Sequence, residues 1–223
     1  MKACFAVPYG LAVTLAALIP LPQLSAISVW VNEIHYDNDG GDLGEFVEIA
    51  GVAGTNLTGY RILLYNGSNG SSYDSINLVG LIPDQSNGFG ALAFFESGIQ
   101  NGSPDGLALI DGSKTVLQFL SYEGSFTAVG GYADGITSVD IGVSEPGSTA
   151  VGYSLQLTGF GSEYADFSWT GPAPESEGMI NAGQSFPQPT ISVLSTASVP
   201  DSGASSVLLT LALSGLLYLR RMI

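Results

Sequence analysis

The densest run of cation-ligating side chains in this 223-residue chain is Asp37-Asn38-Asp39-Gly40-Gly41-Asp42, followed closely by Glu45. Carboxylate and amide oxygens gather around hard cations, and glycines let the backbone turn tightly enough for such oxygens to converge. Asp37, Asp39, Asp42 and Glu45 are therefore candidate ligands for Ca2+. The spacing is not that of an EF-hand, because Gly41 stands where a third ligand belongs. The competing account is a polar turn held by hydrogen bonds from its own Asx side chains.

Other reactive chemistry is sparse. His35 is the only histidine, so a Ser-His-Asp arrangement would depend on it, and no nucleophile motif lies beside it. Metal-dependent phosphoester hydrolysis would need more His and Asn ligands than the chain supplies. Glu33, Glu45 and Glu48 could furnish the carboxylate pair of a glycosidase, but with 20 acidic residues some such pair is expected by chance. Cys4 is the sole cysteine and lies in the leader, which leaves the rest without a thiol for a disulfide, a metal or nucleophilic attack. The expectation is a protein that is not an enzyme.

The formal net charge is −15, from 20 acidic against 5 basic residues, and between Ile27 and Pro200 only Arg61 and Lys114 are cationic. Such a surface repels phosphate backbones, which argues against direct nucleic-acid binding. It also attracts cations and keeps the protein soluble.

Both ends carry export chemistry. Lys2, the apolar run around Leu11 to Ile19 and Leu24-Ser25-Ala26 have the order of a secretory signal over residues 1–26, with cleavage after Ala26. The C-terminus places Val199-Pro200-Asp201-Ser202-Gly203 before an apolar stretch from Ala204 to Leu219 and then Arg220-Arg221. As a helix, about fifteen apolar residues span ~22 Å, short of the ~30 Å hydrocarbon core, so anchoring in the inner membrane would be transient. The arginines would stay cytoplasmic and leave the preceding chain outside.

This tail over residues 199–223 resembles the exosortase sorting signals of Gram-negative bacteria. The resemblance implies an exosortase-like partner that cuts near the motif and passes the protein to the envelope or extracellular surface. Ahead of it, residues 187–198 are rich in Pro, Ser and Thr and read as an extended linker.

The middle, residues 27–186, alternates short apolar runs with Gly, Asn, Asp and Ser clusters and has no long helical period. Strands are predicted at Ser28 to His35, Glu45 to Ala50, Tyr60 to Tyr65, Ser75 to Leu78, Ala91 to Phe95, Gly106 to Ile110, Val116 to Ser121, Ser154 to Leu157 and Phe167 to Trp169. Asn66-Gly67, Asn69-Gly70, Asn87-Gly88 and Asn101-Gly102 offer the positive φ of tight turns. The economical architecture is all-β, an antiparallel β-sandwich. Val29, Val31 and Ile34 do not share one parity, which predicts a bulge or two-sided burial near Asn32.

Asn32-Glu33-Ile34-His35-Tyr36-Asp37-Asn38, Gly44-Glu45-Phe46-Val47-Glu48-Ile49, Leu57-Thr58-Gly59-Tyr60 and Asn101-Gly102-Ser103-Pro104-Asp105-Gly106 resemble the bacterial extracellular branch of lamin-tail domains. So do Gln118 to Gly124, Ser154 to Gly159, Trp169 and Asn181-Ala182-Gly183-Gln184. The resemblance implies an immunoglobulin-like sandwich and a non-enzymatic binding or structural role, with envelope polysaccharide or a surface protein as partner. The alternative it implies is an attachment module for a separately encoded secreted nuclease or phosphatase.

Overall fold

The computed structural model describes residues 29–188. The signal segment 1–26, the sorting tail 199–223 and all but the first two residues of the linker 187–198 lie outside the described residues. Within them the strands are β1 (Val29–His35), β2 (Phe46–Val52), β3 (Arg61–Asn66), β4 (Ser71–Asn77), β5 (Phe89–Phe95) and β6 (Asp105–Ile110). They continue with β7 (Val116–Tyr122), β8 (Val139–Asp140), β9 (Tyr153–Phe160), β10 (Phe167–Pro174) and β11 (Gln184–Ser185). Each predicted strand is present within a few residues. The two-residue strands β8 and β11 carry no periodicity a sequence could reveal.

One sheet runs β10-β9-β1-β2-β5 with β11 added on β9, and the other runs β4-β3-β6-β7-β8. Pairing is antiparallel except for β11 on β9 and β8 on β7, which are parallel. The sheets pack face to face: Val29, Val31, Ile34, Val47 and Ile49 of the first share a core with Ile62, Leu64, Leu107, Leu109 and Leu120 of the second. Residues two apart on a strand point the same way, so these apolar positions follow from alternation.

The predicted irregularity in β1 is a bulge. Val31 pairs with Ile49 and Glu33 with Glu48, which leaves Asn32 as the extra residue. Val29 and Val31 precede the bulge on the core face; Ile34 and Tyr36 return to that face after it. Asn32 and Glu33 therefore both turn to the outer face of the sheet, opposite Glu48.

Each outer face is covered in part by other segments. Trp30, Ala50, Ala91, Leu157 and Phe167 are covered by Phe186 of the C-terminal segment. Leu63, Tyr65, Ala108, Ile110 and Phe119 are covered by Phe126, Ala128 and Ala133, from the excursion between β7 and β8. Central strands are consequently buried on both faces, and every residue of β1 and β6 is buried.

Two of the Asn-Gly pairs turn as expected, with Gly70 at φ 74°, Asn87 at 53° and Gly88 at 86°. Gly67 and Gly102 do not have positive φ and serve close approach instead. A Cβ at Gly67 would lie 2.0 Å from the Pro104 carbonyl oxygen, and one at Gly102 would lie 2.6 Å from Asp105 Oδ2. Asp105 holds both segments, accepting from Gly67 N–H at 2.8 Å and Gly102 N–H at 2.7 Å.

Candidate functional site

The register sets His35 beside Phe46 and Phe46 beside Phe95, so β1 ends, β2 starts and β5 ends at one edge of the first sheet. The acidic loop between β1 and β2 and the loop after β5 meet there. Glu96 N–H donates to the Glu45 carbonyl at 3.1 Å, which extends the ladder past the strands.

The acidic loop is organised around Asn38. Its Nδ2 donates to the Asp39 and Gly41 carbonyls at 3.2 and 3.0 Å, and its Oδ1 accepts the Leu43 N–H at 2.9 Å. His35 fixes that amide from below. Its Nε2 lies 3.2 Å from Asn38 Oδ1 and 3.1 Å from the Leu43 carbonyl, and its Nδ1 lies 3.0 Å from Glu145 Oε1. All three neighbours are acceptors, so the ring needs a proton on each nitrogen, which is imidazolium. Burial opposes that charge, but the Glu145 carboxylate, with Leu43 and Asn38, overrides it and lifts the imidazole to about 9.

Glu145 is wholly buried. Its Oε2 accepts from the Tyr36 and Asp37 N–H groups at 2.6 and 3.0 Å, and its own N–H donates to the Tyr36 hydroxyl at 2.8 Å. Tyr36 stacks on Tyr122 of the opposite sheet at 3.8 Å between centroids and 11° between planes. One buried ion pair thus ties the acidic loop to both sheets.

Of the four expected calcium ligands, Asp37 and Asp42 come together. Burial, and then the neighbouring Asp42, push the Asp37 carboxyl up. Asp39 is exposed, with its N–H on the Thr149 carbonyl at 2.8 Å. Glu45 turns away toward the loop after β5, where its Oε2 accepts the Gly98 N–H at 2.5 Å. Among the described residues no group of three or more His, Cys, Asp or Glu side chains is placed to hold a metal ion.

Glu33 and Glu48 stand on the outer face of the sheet and are wholly buried. Glu33 Oε1 accepts from Ser154 Oγ at 2.5 Å and Ser176 N–H at 2.9 Å, and its Oε2 accepts from Ser176 Oγ at 2.8 Å. Glu48 accepts from Asn32 Nδ2 at 2.9 Å and Gly178 N–H at 2.7 Å. Burial, followed by the nearby Glu33 carboxylate, pushes Glu48 up to about 8. The two glutamates latch the segment after β10 onto the sheet. Asn181 completes the attachment, donating to the Asn32 and Leu157 carbonyls, both at 3.0 Å, where β1 and β9 have stopped pairing.

The sequence reading located the acidic loop, but it gave no sign of Glu145 as the partner of His35 or of the segment that covers Glu33 and Glu48. Both partners lie more than a hundred residues away in the chain, and each sits in a loop without periodicity. The one available signal was a pair of glutamates inside otherwise apolar strands.

Comparison with known proteins adds the tail. No curated protein and no solved structure matches the chain. The VPDSG-CTERM motif family matches residues 198–223. A C-terminal sorting signal of that type implies export, display at the cell surface and processing by an exosortase-like enzyme.

Proposed function

We propose that the protein is a non-enzymatic module displayed on the envelope of a Gram-negative bacterium, where its sandwich binds a surface partner or builds matrix. The observation that carries this reading is the sorting motif at residues 198–223 behind an all-β domain. The lamin-tail resemblance supports it and adds an immunoglobulin-like type for the sandwich. The burial of Glu33 and Glu48 is in keeping with it, since carboxylates that poise a reaction must meet a substrate.

The test follows the mass of the protein in cells. Processing should remove everything after about Gly203 and carry the domain out of the inner membrane. Pro200→Ala with Asp201→Ala should trap a longer form in the inner membrane. Equal mass and equal location for the two chains would reduce the tail to an anchor and end the sorting reading.

A further inference from the structure

At the edge where β2 starts and β5 ends lies an open depression of about 480 Å³, lined by Asp42, Leu43, Glu45, Phe95 and Glu96 among others. Leu43 and Phe95 are 62% and 61% exposed, large apolar groups standing among carboxylates. Glu45 is only 5% exposed. Its Oε2 has the Gly98 N–H, but its Oε1 has no hydrogen-bond partner. A buried carboxylate oxygen without a donor is unfavourable, and it is relieved by any donor that reaches it.

Three classes of ligand differ in how they fit this lining. A divalent cation needs several converging oxygens, and the described residues present no such group. An anionic ligand is repelled by Asp42, Glu45, Glu96 and a net charge of −15. A basic side chain fits both halves of the lining. Its aliphatic stem lies along apolar surface while its head reaches acceptors, and a guanidinium also packs over an aromatic face.

We propose that this depression receives an arginine side chain from a partner protein, with Phe95 and Leu43 holding the stem and Asp42 and Glu96 the guanidinium. The proposal rests on the binding reading above and gives it a partner chemistry. Fork geometry and paired acceptors favour arginine over lysine. The rigid setting comes from His35, Asn38 and Glu145, which fix the loop that carries Asp42 and Leu43.

The test titrates the full chain, purified in detergent, with a blocked tetra-arginine peptide at physiological salt, read by calorimetry. Saturable binding is expected, weakened about tenfold by Phe95→Ser and by Glu96→Gln, both on the depression. Asp74→Asn changes the charge equally on the opposite sheet and should leave the affinity within about twofold. Glu45→Gln is a less secure variant because it also disturbs the bond to Gly98, so the two surface variants decide. Absence of saturable binding, or an equal loss from Asp74→Asn, overturns the proposal. So does competition by equimolar calcium with Phe95→Ser silent, which would give the loop to the cation. These results are independent of tail processing, so failure here and failure of the sorting reading are told apart.

Discussion

His35 has a carboxylate on one ring nitrogen and two carbonyl-type oxygens on the other, an environment that only the doubly protonated ring satisfies. Its pKa rises from 6.5 to about 9 on folding, so its contribution to stability is complete below 6.5 and is lost as pH climbs through about 9. Removing one partner of a buried pair typically costs about 3–5 kcal/mol. His35→Gln should show a loss of that order in urea unfolding at pH 6 and a clearly smaller one at pH 10. A difference that does not change with pH would mean the ring is neutral in the fold. The same residue helps to shape the acidic loop, since His35 and Asn38 bond to its backbone at Asp39, Gly41 and Leu43.

The element that decides the outer face of the first sheet is the segment from Ser176 to Phe186. It has one two-residue strand, yet it satisfies two buried carboxylates, replaces a missing rung between β1 and β9 through Asn181, and closes an aromatic cluster. Phe186 stacks on Phe89 at 4.5 Å and 9° and meets Phe167 at 5.6 Å, with 3% of its surface exposed. Phe186→Ala should destabilise by about 3–5 kcal/mol, the usual range for a buried phenylalanine. Chemical denaturation checks this, and a change under about 1 kcal/mol would mean the segment is only loosely held.

For the whole molecule, the buried ionisable groups work in one direction. Glu48 binds a proton in the fold up to about 8 but releases it near 4.5 when unfolded, so stability falls with pH across that window. The slope is at most about 1.4 kcal/mol per pH unit. The loss from His35 follows at higher pH, and the self-repulsion of a chain with net charge −15 adds to it. The melting temperature should therefore fall steadily from about pH 4.5 toward pH 9. Glu48→Gln should flatten the part between 4.5 and 6.5, where His35 does not yet contribute, and leave the fall from 6.5 toward 9. A melting temperature that rises toward pH 9 would contradict the burial of Glu48 as a protonated acid.

The sequence alone determined the strands, because alternation is local: Val47, Ile49, Leu107 and Leu109 declare a core face within a few residues of themselves. It also determined an irregularity near Asn32, which shows as a break of parity in Val29, Val31 and Ile34, and the C-terminal sorting motif, which is read as linear chemistry. The roles of its polar residues were another matter. Glu33, Glu48 and His35 alternate outward as solvated residues would, and only the tertiary structure brings Ser176, Gly178 and Glu145 over them. Glu45, expected beside three aspartates, turns to Gly98 because the β5 loop lies within reach of it. A strand pattern reports which face a side chain leaves by; what waits on that face is set by contacts across the fold, and no local periodicity records them.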